Sequence, residues 1–432
     1  LAGWGILLWA SQLPAQSHDI TETVQRGDCH RFELSLRLQG EMRVNRDGKT
    51  VSLPISAGAS HRFTERVLER SQASRPTKVA RYYDVAQAEM QVEGHSGSRT
   101  IRDERRLIVA QRVRDQFLAY SPAGPMTRDE LEVICQHFDT LSLTGLLPSK
   151  PVAVGDSWQI GNEVIQALAQ FEALISQDIT AKLERVADGF ADISLGGKAM
   201  GIDMGALVKV TVSASARFEI LPKKLVRVEW TQKDERDQGP VSPAATLEAK
   251  TILQRATTST PAQLQDSALE SVPPGFEVPE LLTQVTHADV QNRFDVTLSR
   301  DWHLVAQTEQ HLVFRLVERG ELICQATLTP WVAAEPGKHL SAEEFRDIVS
   351  QAPGWQLEEV LEAGDVASDE GRWIHRIAAR GVVESSKVVQ TFYIVADRRG
   401  RQIIATFTLK PNQVGKLGSR DLSLIGAIRF TP

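Results

Sequence analysis

The chain is short of cysteine, of aromatic side chains, of basic excess and of long apolar runs, and each shortage excludes something. Three cysteines in 432 residues, Cys29, Cys135 and Cys324, exclude a disulfide-built scaffold, and their wide spacing excludes a CxxC zinc or redox pair. One internal bridge at most is allowed, with the pairing left open. With 49 Lys+Arg against 55 Asp+Glu the formal net charge is −6, so no broad cationic surface exists and nucleic acid is not an expected partner. No stretch after the first residues reaches the ~18 apolar residues of a spanning helix, so no transmembrane span is expected in the mature chain. Asn45, Asn162, Asn292 and Asn412 all lack Ser or Thr two positions on, so there is no glycosylation sequon.

Sequence signatures of chemistry are missing too. GHSGS at Gly94–Ser98 is mis-spaced for a G-x-S-x-G nucleophile elbow. GKT at Gly48–Thr50 has Arg43 where a phosphate-cradling loop needs glycine, and reads as a hairpin turn. DERDQG at Asp234–Gly239 puts Arg236 at a calcium-ligand position. None of the ten histidines forms an H-x-H, H-x-x-x-H or H-E-x-x-H pair, although His303 and His311 could meet a carboxylate such as Glu309. No catalytic residue, metal or cofactor is therefore expected.

What is present begins with an address. Leu1–Leu13 is apolar, with Trp4, Ile6, Leu7, Leu8 and Trp9, and runs into Pro14 and Ala15. This is too short to span a bilayer and reads as the remnant of a signal peptide over 1–17. The expected location is bacterial and exported, periplasmic or extracellular.

The rest is patterned mostly with period two. Phe32, Leu34, Leu36 and Leu38 alternate with polar residues, the mark of a strand with one dry face. Val208, Val210, Val212, Ala214, Ala216, Phe218 and Ile220 do the same over a longer run, and after Leu221–Lys224 the alternation Val226, Val228, Trp230 turns back as a long antiparallel hairpin. Such strands belong to a large, curved sheet. Two helices are expected to fill its apolar side. One follows a Thr127/Glu130 capping box and carries Leu131, Ile134, Cys135 and Phe138; the other carries Val164, Ile165, Leu168, Phe171 and Ile175. Pro261, Pro273, Pro274 and Pro279 mark a Pro/Ser/Thr-rich linker. The expected division is a β-rich domain over 18–255, the linker over 256–290, and a second domain over 291–432 in which strands flank a helix capped by Ser341 and Glu344. The expected fold class is α+β.

The second domain, through FDVTLSRDWHL (Phe294–Leu304), SAEEFRDIV, GRWIHRI and FYIVADRRGRQIIATFTL, resembles the Mog1/PsbP-like α/β/α sandwich, a fold that implies binding rather than catalysis. The first domain, through LTGLLPSKPVAVGDSW (Leu143–Trp158) and KDERDQGP (Lys233–Pro240), looks like a secreted β-rich domain of planctomycete type. In architecture it is similar to LolA/LppX half-barrels, which implies a sheet that holds lipid tails. On this reading Ala214 and Ala216 leave room for an apolar ligand beside Phe218 and Trp230. Trp331 and Trp355, each next to a loop, form an interaction surface. The expected partner is an apolar small molecule or lipid held by a non-enzymatic binding protein. The alternatives are a structural or protein-interaction component of the envelope, and an enzyme whose site is assembled from residues distant in sequence.

Overall fold

The computed structural model describes residues 16–46, 48–113, 116–135, 138–368 and 371–431. The expected signal segment falls almost wholly outside them.

The long alternating runs become long strands. β1 (Cys29–Arg46), β2 (Lys49–Arg70) and β3 (Pro76–Val92) are followed by the shorter β4 (Leu107–Val113) and β5 (Gln116–Tyr120). After α1 (Arg128–Cys135) and α2 (Asn162–Leu168) come β6 (Thr180–Ala187), β7 (Phe190–Asp203), β8 (Ala206–Glu219), β9 (Lys224–Arg236) and β10 (Ala244–Thr257). These ten strands and three short ones form a thirteen-stranded sheet in which β10 closes onto β1, giving the order β6-β7-β8-β9-β10-β1-β2-β3-β4-β5. Every pairing within it is antiparallel. The inner face of this sheet packs against α1 and α2 in one cluster that includes Phe32, Phe63, Phe218, Trp230, Ile134 and Ile165.

The second half opens with β11 (Val285–Ala288) and β12 (Phe294–Leu298), which share a small sheet with Met126–Thr127 and the late β20 (Ile428–Phe430). Between them lie β13 (Trp302–Gln307), β14 (Leu312–Glu318), β15 (Glu321–Trp331), α3 (Ala342–Ser350), β16 (Trp355–Asp365), β17 (Trp373–Val383), β18 (Ser386–Ala396), β19 (Gln402–Leu409) and α4 (Arg420–Gly426). The seven strands form a sheet ordered β13-β14-β15-β19-β18-β17-β16.

The α+β expectation is corrected: 56% of the described residues are strand and 14% helix, arranged in large antiparallel sheets. The reason is helix length. α2 stops at Leu168 because Gln170 turns left-handed at φ 60°. Phe171 then lies beyond the helix, and Ile175 joins the strand Ala173–Gln177 with its side chain exposed. Both expected capping boxes do form. Thr127 and Glu130 exchange hydrogen bonds of 3.2 and 2.8 Å at the start of α1, and Ser341 and Glu344 do so at α3.

The Pro-rich segment is pinned along much of its length. Leu264 is buried and its carbonyl accepts from Arg66. Lys78 donates to the carbonyls of Pro273 and Gly275, and Gln111 to that of Phe276. Polar side chains of β2, β3 and β4 thereby gain carbonyl acceptors from this segment.

Candidate functional site

Register converts the alternation of single strands into rows that cross the sheet. One row runs Ile193, Ala216, Val228, Leu253, Leu34, His61. The next runs Leu195, Ala214, Trp230, Thr251, Leu36, Ala59, and the row beyond it Gly197, Val212, Gln232, Ala249, Leu38, Ala57. The first row is packed shut: Ala216, Val228, Leu253, Leu34 and His61 are all at most 5% exposed. From the second row onward the face opens, and Leu36, Leu38, Ala57 and Ala59 are only half-buried.

Above these open rows lies a cavity of about 1250 Å³. Its strand wall is formed by Leu36, Leu38, Ile55, Ala57, Trp230 and Leu247. The opposite side is formed by Val133 and Cys135 of α1, by Phe138, by Gln166–Glu172, and by Ser299, Arg300 and Asp301 of the second half. Phe138 meets Trp230 edge-on at 5.5 Å, so the floor of the cavity is an aromatic contact between cap and sheet.

This placement corrects part of the sequence reading. Of the four expected ligand residues only Trp230 lines the cavity. Ala214 is its register partner on β8, Ala216 lies in the packed row, and Phe218 is completely buried beyond it. The small side chains of Ala214 and Ala216 stand opposite Trp230 and Val228 of the neighbouring strand. Of the two expected surface tryptophans, Trp331 is 36% exposed but Trp355 only 7%. Trp355 is buried because its indole covers Gly381 on β17 and packs on Phe392 at 5.9 Å.

Charged groups occupy two regions of the cavity. Near the ends of β7 and β9, Asp203, Asp234 and Glu172 gather with one guanidinium, Arg236, whose Nη1 is 3.7 Å from Asp203. Burial raises the pKa of all three carboxyls; Asp234 adds to the effect at Asp203, and Asp203 to that at Glu172. On the side of β3 to β5, Arg81 is fully buried, paired with Glu65 at 2.9 Å and with Thr140 at 2.7 Å, and its guanidinium lies over Phe63. Arg112 pairs with Asp139 at 2.6 Å, and His61 contacts the Val133 carbonyl at 2.9 Å. Burial lowers the His61 pKa to about 4, so the ring is neutral at physiological pH. None of these residues carries a local sequence signature; the sheet register and the cap bring them together.

The other candidates from the sequence stay apart. His303 is in β13, where burial lowers its pKa to about 4. His311 faces Thr308 at 3.4 Å, and the Glu309 backbone accepts from Arg293. His95, Ser96 and Ser98 are exposed on a short edge strand. All three cysteines are free thiols. Among the described residues no three of His, Cys, Asp and Glu converge as metal ligands do, and no helix is long and apolar enough to cross a membrane.

No protein-family model matches the chain, and no curated protein matches it either. Solved structures give partial likenesses. PsbP of the cyanobacterium Synechocystis is 13% identical with a TM-score of 0.27, over 37% of this chain and 99% of that one. The Ran-binding protein Mog1p of Saccharomyces cerevisiae is 6% identical with a TM-score of 0.28, over 34% of this chain and 95% of that one. Lipovitellin, in a structure of its lipid–protein interactions, is 9% identical with a TM-score of 0.31, over 55% of this chain and 26% of its own. These are likenesses of fold over part of the chain and assign no residue a role.

Proposed function

We propose that the protein is a non-enzymatic binding protein that shelters an apolar small molecule or a lipid in the cavity over the large sheet, and that it works in the bacterial periplasm or outside the cell. The cavity carries the reading. Its volume of about 1250 Å³ exceeds the ~300–1,000 Å³ of ordinary small-molecule sites, and its strand wall carries Leu36, Leu38, Ile55, Ala57, Trp230 and Leu247, with Thr251 and Gln232 among them. Most basic groups around it are tied into ion pairs or carbonyl contacts rather than arranged as nucleophile and base. The export half of the proposal rests on the apolar Leu1–Leu13 run.

The test is mass spectrometry of solvent extracts from protein purified out of its native host, with a denatured control. A stoichiometric apolar molecule is the expected outcome. A clean extract would sink the ligand reading in favour of an envelope protein-interaction component, for which exposed Trp331 and the adjacent Val332, 78% exposed, supply the contact surface.

A further inference from the structure

The cavity is closed at one end and grooved along its strand wall. Its closed end is the row in which Ala216, Val228, Leu253, Leu34 and His61 are packed shut. Two contacts between cap and sheet complete the barrier there. His61 meets the Val133 carbonyl of α1 at 2.9 Å, and Trp230, one row further along, meets Phe138 at 5.5 Å with the rings at 61°. Trp230 and Phe138 are only 2% and 4% exposed, so aromatic rings fill this end.

The wall that leads away from this barrier has relief. On β2 the residues lining the cavity are Ala59 and Ala57, and β3 sets Ala88 beside Ala59 and Met90 beside Ala57. On the other side, β1 sets Leu36 and Leu38 against the same two alanines. The polar Thr251 and Gln232 lie beyond that leucine ridge, on β10 and β9. Three alanines between two leucines and a methionine make a trough that runs along the strands. From the row of Ala59 to the row of Ile55 and Leu247 are two row spacings, ~14 Å at the rise of an antiparallel strand. An extended aliphatic chain would touch the floor and both sides of such a trough, whereas a fused-ring molecule would rest on the leucines and leave the alanines without contacts.

We propose that the ligand is an extended aliphatic chain lying in the trough over Ala57 and Ala59, and that Trp230 and Phe138 form the stop that limits its length. This rests on the ligand-binding reading above and adds the shape of the ligand and the residues that select it. The stop meets the far end of the chain, so selection by length is separate from any recognition of a head group.

The test uses the full chain and straight-chain primary alcohols from octanol to hexadecanol, each kept below its solubility and displacing the neutral fluorophore N-phenyl-1-naphthylamine. For the wild type, affinity should rise roughly fourfold per added methylene up to one chain length and then level off or fall. Phe138→Ala should move that break to longer chains by removing the stop. Ala59→Leu fills the trough without opening the core and should move the break to shorter chains, which keeps the test in force if Phe138→Ala does not fold. Movement by either folded variant in its stated direction supports the stop. An affinity that climbs through hexadecanol without a break, a break that no folded variant moves, or tighter binding of cholesterol than of the best alcohol would each overturn the proposal while leaving the ligand reading standing. If neither the fluorophore nor any alcohol binds the wild type, the ligand reading itself falls.

Discussion

At the scale of residues, the molecule buries several imidazoles in their neutral form. Burial lowers the pKa of His30 to about 2 and of His61, His287 and His303 to about 4. In the unfolded chain these rings titrate near 6.5. A group whose pKa is depressed by folding contributes stability that is complete above its unfolded value and is lost as pH falls toward its folded value. Each ring should therefore weaken the fold as pH falls from about 6.5 toward 4, by at most about 1.4 kcal/mol per pH unit. His287 is a clean probe, because it is 6% exposed and meets Phe314 edge-on at 5.2 Å. The difference in urea midpoint between wild type and His287→Gln should shrink as pH drops through this window. A pH-independent difference would show that the ring is not held neutral.

At the scale of elements, the contact between Trp355 and Gly381 holds the outer edge of the second sheet. A Cβ on Gly381 would lie 2.2 Å from the Gln356 carbonyl oxygen and 2.5 Å from the Trp355 ring, so Gly381→Val must expel the indole. The expected result is a red-shifted tryptophan emission and a loss of roughly 2–4 kcal/mol, in the range of a disrupted core aromatic. An unshifted spectrum would contradict the packing. This element also shows where sequence reading stops. The alternation from Val208 to Ile220 sufficed to place β8 at Ala206–Glu219 and its return in β9, because a period of two is a property of one strand. Trp355, next to Pro353 and Gly354, looked exposed because the glycine that it covers lies on a different strand. Ala214 misled for the same reason: Trp230 stands opposite it across the ladder. The rows of the cavity wall and the position of Arg300 depend on register and on contacts between distant segments, which periodicity does not encode.

At the scale of the whole molecule, the two halves meet through specific contacts and through Val285 of β11, which belongs to the core of the first half. Met126–Thr127 pairs in parallel with β11, Arg300 reaches Ala119, and Arg315 donates to the Pro240 carbonyl at 2.6 Å. Gly205, at the β7–β8 turn, lies against Gly320 at the β14–β15 turn, both with positive φ. A Cβ on Gly205 would come within 2.7 Å of the Gly320 carbonyl oxygen, so Gly205→Val should force the two turns apart. Limited proteolysis should then cut faster at these turns, with the far-ultraviolet spectrum unchanged. Resistance equal to the wild type would mean that the seam does not depend on this approach.

The position of β1 in the middle of the large sheet has a consequence for how the protein is made. β1 finds β2 at once, but its other neighbour is β10, where His30 pairs with Thr257. At ~5–20 residues per second, roughly ten to forty seconds of synthesis separate β1 from that partner, and until the two meet β1 presents an unpaired edge. Unpaired strand edges recruit other chains. The exposed Arg31, Glu33 and Arg37 that alternate along β1 put charge beside that edge until β10 covers it, the kind of charge that keeps a strand edge from recruiting other chains.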